Sequence, residues 1–353
     1  MIEFSELTAF TYHVVILVTV LIIKFIASHF VVHEPLRYFQ FYCMQLSKKV
    51  NNRNNSNAQQ IIAGLLALLI TLIPLVIILW LFAEFVEVDY IWQGLLLYCS
   101  LGSLHLGQFN KDIAQALASK QKHLAKQTLK PLVLRETATL SIVGLSKAAI
   151  EMQLLRSMQQ IYVVSFIFIV AGPLAALSYR LILEMHYCWN TKLISFKYFG
   201  FYSQFFSQIL QWIPNRVMTL MLLLGCLGQG SFNFWRSTKQ HFFALNNNFI
   251  IAVHALSLSI RLGGVAIYLQ ETSNADLDDK ANPEQNSKHD EQALIAVTEA
   301  EKLRKPAFND TSNQPMPIDM IKATSKVNFA IYGSLFLLVL LAVAWQYLSH
   351  LTR

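Results

Sequence analysis

Charge is scarce in this sequence. Asp, Glu, Lys and Arg together supply 14% of the residues, where an ordinary soluble domain carries about 25%. That shortage argues against a soluble domain with a fully solvated surface. Cysteine is also thin, at four residues: Cys43, Cys99, Cys188 and Cys226. No C-x-x-C joins any of them, so no disulfide framework is implied, and the expectation is small buried hydrophobes. The chain lacks a G-x-x-x-x-G-K-[ST] phosphate loop and a G-x-S-x-G nucleophile elbow. It opens Met-Ile-Glu-Phe-Ser-Glu, acidic rather than basic, and no small-residue cleavage site closes the apolar run that follows. That run reads as a retained span rather than a cleaved signal. The net charge of +7 is modest and sits mostly in loops, so no nucleic-acid partner is expected. No internal repeat is visible.

Apolar residues make up 54% of the chain, and they are gathered into long runs. A transmembrane helix needs about 20 mostly apolar residues. Residues 12–32 form the first candidate, interrupted by Lys24, which can snorkel to the interface. Residues 61–82 form the cleanest, with Pro74 inside. Residues 91–107 are short and glycine-rich, and either cross or lie buried against other helices. Residues 161–183 are long enough to cross but are broken by Gly172-Pro173. Residues 209–227 and 329–348 complete the set. The expected fold is therefore all-α, a polytopic helical membrane protein with amphipathic helices outside the bilayer, and its first partner is the lipid bilayer.

Loop charges set the orientation. Arg37, Lys48, Lys49 and Arg53 follow the first span, whereas Glu84, Glu87 and Asp89 follow the second. The positive-inside rule puts the first loop in the cytoplasm and the acidic tip outside. Residues 111–156 are basic and should be cytoplasmic, which requires 91–107 to cross. Lys192 and Lys197 fit only if 161–183 is re-entrant, and composition leaves that open. Ala, Leu, Lys and Gln dominate 111–156, so it reads as amphipathic helices broken at Pro131. Residues 271–324 are polar with few aromatics and read as disordered, with a short helix expected at 291–305.

Candidate chemistry is sparse. His29 and His33 share a helix face at zinc-binding spacing, but Pro35 ends the helix and no third ligand is evident, so no metal site is assigned. Arg180, Glu184 and Arg216 are polar residues near span ends and are functional candidates by default. A membrane-interface anchor is the plainer reading of Arg216. The glycines of Arg261-Leu262-Gly263-Gly264 read as a helix end or turn.

Several short segments go further. Arg135-Glu136-Thr137, Lys147-Ala148-Ala149-Ile150-Glu151, residues 172–180, Tyr198-Phe199-Gly200, Trp212-Ile213-Pro214-Asn215-Arg216 and Arg261-Leu262-Gly263-Gly264 follow in order. Together they resemble the CobD/CbiB family, and His33-Glu34-Pro35-Leu36-Arg37 looks like that family's early His-Pro-Val-Arg stretch. The resemblance implies a bacterial inner-membrane, multi-pass protein acting late in cobalamin biosynthesis. Such proteins join aminopropanol or its phosphate to a side-chain carboxylate of adenosylcobyric acid, an ATP-dependent amide formation. It further implies a membrane domain over residues 1–270, a polar linker over 271–325, and a C-terminal helix over 326–353 that completes the domain. A corrinoid substrate would be the partner, and ATP with magnesium the cofactors, if the synthase chemistry persists.

The chain departs from the family where that chemistry should lie. Leu155, Arg156 and Gln159 stand where the family has a Glu-Asn pair and an Asp. Leu183, Glu184 and His186 replace an Asn-Thr and an Asp, and Ser207-Gln208 replaces a paired Asp. The resemblance then leaves Arg135, Glu136, Thr137, Glu151, Arg180 and Arg216 as residual catalytic positions, and Arg261, Gly263 and Gly264 as cofactor contacts. Arg135 and Arg216 would hold anions; Glu136 and Glu151 would meet metal or amine. The alternative for each is a helix cap or an interhelical salt bridge. Two function classes follow: an enzyme, or its inactive partner, at the cobinamide step, and a non-catalytic membrane scaffold like the AmpE signalling modulators. The polar linker followed by Pro317-Ile318-Asp319-Met320 resembles the latter.

Overall fold

The first long helix, α1 (Ala9–Phe30), forms where 22 residues carry a single ionised side chain, Lys24. The computed structural model describes residues 8–30, 36–52, 54–224, 234–268, 301–310 and 312–351. His33, Cys226 and the end of the expected span at 209–227 lie outside the described residues, as do 271–300. The side chain of His29 lies outside them too.

After α1 come α2 (Arg37–Val50), α3 (Asn57–Ala83) and α4 (Asp89–Ser100). Ser56 and Gln59 open α3 with a reciprocal capping box, which satisfies two free amides at the helix start. Residues 106–157 are helical, as their composition indicates: α5 (Leu106–Ala118), α6 (Lys122–Leu129) and α7 (Ile142–Ser157), with Pro131 in a 3-10 turn that separates the last two. A π-turn (Met158–Tyr162) leads into α8 (Val163–Cys188), and then come α9 (Phe201–Leu224), α10 (Phe234–Phe242) and α11 (Asn248–Leu258). A two-stranded antiparallel hairpin, β1 (Leu262–Tyr268) with β2 (Glu301–Phe308), precedes α12 (Pro317–Leu351). Among the described residues the fold is all-α apart from this hairpin.

Among the described residues, four helical runs are long and apolar enough to cross a membrane: Ala9–Ser28, Asn57–Ala83, Ile142–Cys188 and Pro317–Leu351. The third does not run straight. Gly172 has φ 83° and ψ −176°, a backbone region open essentially only to glycine. Pro173 follows it. The Tyr179 hydroxyl donates to the Gln159 carbonyl, 20 residues back, at 2.9 Å. The Tyr187 hydroxyl reaches the same residue's side-chain oxygen, 28 residues back, at 2.8 Å. In a straight helix 20 residues would span about 30 Å. The run therefore doubles back at Gly172 into a helical hairpin with arms of roughly 20 Å. The two arms of the run lie side by side. The loop after it rests on α2, where Trp189 Nε1 donates to the Cys43 carbonyl and Asn51 donates to the Ser195 carbonyl. Lys192 and Lys197 thus return to the end of the fold where Lys48 and Lys49 lie.

Residues 91–107 take an intermediate form. Helix α4 has 12 residues, about 18 Å, too short to cross alone. It runs parallel to α1: Asp89 meets the Tyr12 hydroxyl, and the carbonyls of Tyr98 and Leu101 accept from Lys24. Gly102 then donates to the Gln160 carbonyl. A short helix plus buried extended chain carries this segment along α1, which is tolerated at membrane depth where protein covers the backbone. The snorkelling expectation for Lys24 is corrected. Its ammonium is buried and neutralises the free carbonyls at the C-terminus of α4, where the helix dipole favours a cation.

Three other expectations change. Helix α7 was expected to be amphipathic; instead it is buried on nearly every side, from Leu145 to Ser157, between α5, α6, α12 and the hairpin strand. Gly263-Gly264 opens a strand with a bulge rather than ending a helix. Residues 301–305, expected to be helical, lie in β2, and 317–324 form the first turns of α12. Polar composition hid both because each is stabilised by partners distant in sequence.

Candidate functional site

Helix α7 organises the family-motif residues. Ser141 caps its start, accepting from the Gly144 amide, and aligns Lys147 and Glu151 one turn apart on one face. The Glu151 side chain is 3% exposed. One carboxylate oxygen accepts from Arg135 Nη2 at 2.7 Å, and the other accepts from the Gly263 amide at 3.0 Å. A single acid thus joins the loop before α7 to the β hairpin, across 112 residues of sequence. Gly263 and Gly264 have φ of 77° and 105°. A Cβ on Gly263 would lie 2.2 Å from the Pro306 carbonyl oxygen, whereas one on Gly264 would meet open space. The bulge turns the Gly263 amide into the site and leaves the backbone at Gly264 uncovered.

Arg261 pairs with Asp310 at 2.5 Å at the half-exposed edge of this hub. Lys147 lies in the field of Arg261, Glu151, Asp310 and Arg135. Sequence alone gives Lys147 no role of its own; its position one turn before Glu151 is the signal that marks it. Glu136 turns away, accepting from the Ala138 amide within its own loop at 2.6 Å. Thr137 is buried behind it.

Arg180 belongs to a second cluster, on the returning arm of the α8 hairpin. Its Nη2 pairs with Glu184 at 2.5 Å, and the other Glu184 oxygen accepts from Gln40 at 2.8 Å. Arg180 Nε and Nη1 have no hydrogen-bond partner among the described residues. Beside the pair run Tyr187, Gln159 and Gln211, hydrogen-bonded in series. Gln159 stands where the family has an acid, whereas Gln40 and Gln211 were not singled out from sequence. Gln40 and Gln211 are each an amide in a helix flanked by apolar residues, which is the signal that could have found them.

Arg216 makes a third, separate arrangement. Its guanidinium donates to the carbonyls of Phe242, Ala244 and Trp212 and lies over the Trp212 ring, 4.5 Å from its centre. It ties α9 to the turn after α10. A cavity of about 340 Å³ between α1, α12 and the first arm of the hairpin, lined by Leu17, Phe25, Tyr162 and Tyr332 among others, is lined by none of the family-motif site residues. The contacts therefore bring together Arg135, Glu151 and Gly263, pair Arg261, two residues before Gly263, with Asp310, join Arg180 to Glu184, and give Arg216 to neither group. Among the described residues no group of three His, Cys, Asp or Glu side chains is placed to hold a metal ion.

Comparison with known proteins agrees with the motif order. A family model described as CobD/Cbib protein matches residues 16–297. A relative from Chromobacterium violaceum, named cobalamin biosynthesis protein CobD, is 29% identical over 206 residues, covering 58% of this chain and 66% of the relative. A protein of the same name from Stutzerimonas stutzeri is 27% identical over 205 residues, 58% of this chain and 68% of its own length. One from Leptospira interrogans is 24% identical over 233 residues, 61% and 71% respectively. The alignments thus span about two thirds of these relatives. No solved structure matches. With the family model covering most of its length and the motif residues in order, this chain belongs to the CobD/CbiB family.

Proposed function

We propose that this protein is a multi-pass inner-membrane protein acting at the corrinoid amide-forming step of its family with a degraded catalytic centre, so that it binds ligand without converting it. The observation that carries this reading is the state of its remaining acids. Glu151 is held by Arg135 and the Gly263 amide, Glu184 by Arg180 and Gln40, and Glu136 by the Ala138 amide. A magnesium–phosphate site needs carboxylates converging on one point with oxygens free for the metal. These three acids lie in separate arrangements and each is already engaged. The donor set does not fit ATP-bound magnesium, and no step is drawn through that group. The retained cations and the glycine bulge are the parts suited to a ligand.

The test is an assay on purified full-length protein in detergent with adenosylcobyric acid, aminopropanol phosphate, magnesium and ATP, beside an active relative. Retained binding of adenosylcobyric acid with no amide product is the expected result. Amide formation that disappears in Glu151→Ala would overturn the degraded-centre reading. Neither binding nor product, from folded protein, would leave the membrane signalling or scaffold reading, the AmpE-like one, in its place.

A further inference from the structure

The cavity of about 340 Å³ between α1, α12 and the first arm of the α8 hairpin lies apart from the three arrangements of charged residues. Each of its three walls belongs to a run long and apolar enough to cross a membrane. Helix α1 runs antiparallel to α12: the Thr8 amide donates to the Gln346 side chain and the Thr11 hydroxyl to the Ala342 carbonyl. On the other side the His13 ring packs edge-on against Phe168, 5.4 Å between centroids. That register sets Phe25 level with Asn328 and Ser157, and Leu17 level with Leu338 and Phe166. The two ends differ in chemistry. At the Phe25 end, Ser157 and Asn328 line the cavity, and their side chains make no hydrogen bond to any described residue. Behind them, one turn earlier in α7 and α12, Gln153 accepts from Thr324 and from Asn110. The other end is walled by Leu17, Phe166 and Leu338, and the serines between, Ser165 and Ser334, donate back to carbonyls of their own helices. Ile22, Phe25 and Tyr332, each more than half exposed, frame a mouth that opens sideways, onto the surface a bilayer would cover. The π-turn supplies Ile161 and Tyr162 to the wall; such turns are rare and often lie at functional sites.

We propose that this cavity holds one acyl chain of a membrane phospholipid, with the chain end between Leu17 and Leu338 and the ester oxygens at Ser157 and Asn328. Width decides the class of ligand. From Asn328 to Leu338 the α12 wall is about 15 Å long, so a volume of about 340 Å³ leaves a cross-section of roughly 23 Å². An extended hydrocarbon chain fits that width, whereas a partner helix, about 10 Å across with its side chains, does not. The volume is more than twice the roughly 150 Å³ of an apolar cavity that stays dry and takes up benzene. Left empty, its walls would lose dispersion contacts on one side, and its apolar depth gives water nothing to bond. Polarity decides the orientation. The Ser157 hydroxyl and the Asn328 amide can donate to ester carbonyls, which places the oxygens at that end and the alkyl chain at the other. This inference goes beyond the proposed function and does not rest on it, since no side chain of the Glu151 or Glu184 arrangements lines the cavity.

The experiment adds photoreactive phosphatidylcholine to delipidated full-length protein in a steroid-based detergent, whose rings are too broad for the cavity. One probe carries a diazirine at the end of an acyl chain and a second carries it beside the ester; labelled residues are mapped by peptide mass spectrometry. Saturable labelling is expected, at Leu17, Phe166 or Leu338 with the first probe and at Phe25, Ser157 or Tyr332 with the second. Ser165→Phe fills the cavity from the hairpin arm and Ile331→Trp fills it from α12. Each should cut specific labelling about tenfold or more, and size exclusion checks folding, so one filled variant suffices if the other misfolds. Leu340→Trp, on the exposed face of α12, should leave labelling unchanged. Ser157→Ala combined with Asn328→Leu should weaken apparent affinity about tenfold, as for two neutral hydrogen bonds. Palmitic acid with the same terminal diazirine forms a separate arm. Saturable labelling by the fatty acid but not by the phospholipid would overturn the proposal. So would labelling that spreads without saturation to exposed α3 positions such as Ile70 and Ile78, a reversed order of the two probes, no effect of a folded filled variant, or full affinity in the Ser157–Asn328 double variant.

Discussion

Breaking the Glu151 contact should cost far more than its size suggests. The side chain is 3% exposed and that of its partner Arg135 is 12% exposed, so neither charge is well solvated. Removing one member of such a pair leaves the other buried and unpaired, at about 3–5 kcal/mol. Glu151→Ala also strips the acceptor from the Gly263 amide, and an orphaned buried donor costs about 1–3 kcal/mol. The two losses overlap, so roughly 4 kcal/mol is expected in total, at the upper end for a single substitution. Glu151→Gln keeps an oxygen for Gly263 and the shape of the side chain, and should cost about half as much. Arg135→Met isolates the charge term, because Glu151 retains its amide donor. The measurement is a double-mutant cycle of Arg135→Met and Glu151→Gln, followed by denaturant unfolding in detergent with tryptophan fluorescence. A coupling of about 1–3 kcal/mol is expected. Coupling under about 0.5 kcal/mol, or a Glu151→Ala cost no larger than a surface change, would refute the view of Glu151 as the tie between α7 and the hairpin. Amide exchange should locate the damage: protection at Gly263 falls in Glu151→Ala and survives in Glu151→Gln.

Two further outcomes follow from other parts of the fold. Cysteines placed at Lys48 and Lys197 should label with an impermeant thiol reagent from the same face of oriented vesicles, and one at Glu87 from the opposite face; labelling of positions 48 and 197 from opposite faces would exclude the reversal at Gly172. His254, buried in α11 with neither ring nitrogen hydrogen-bonded among the described residues, has its pKa lowered to about 3 by burial, with the Lys326 charge adding to this. The unfolded chain takes up that proton near pH 6.5 while the folded chain does not, so stability should fall as pH drops below 6.5, by about 1.4 kcal/mol per unit. His254→Leu should remove that slope; an unchanged slope would place the proton uptake elsewhere.

Much of the helical architecture was legible because it rests on the length of apolar runs, which is local. The same holds for the break at Pro131 and the helices around it. The direction of the chain after Gly172 was not legible. A Gly-Pro pair announces a break, but only the contacts of Tyr179 and Tyr187 with Gln159 turn it into a reversal. Lys24 looked like a snorkelling residue because its partners, the last carbonyls of α4, are more than 70 residues away. The site divided in the same way. Motif order identified Arg135, Glu151 and the two glycines, yet their meeting depends on a strand paired with residues 301–308, whose polar composition reads as disorder. Arg180 and Arg216 share motif segments with the others but answer to different neighbours, and spacing along the chain carries no record of that.

The hairpin of α8 also bears on how the protein enters its membrane. A helix that crosses once obliges the polar chain behind it to be moved through the bilayer. Here the second arm finishes against α2, and Val170 beside the turn at Gly172 is 71% exposed. In a bilayer, a loop held against α2 would keep Lys192, Lys197 and the chain to α9 on one face. The pair of arms can be pushed in from one face as a wedge, with its backbone bonds already closed within each helix. Arg180 and Glu184 would travel with it as a neutral pair, entering together rather than as two separate charges.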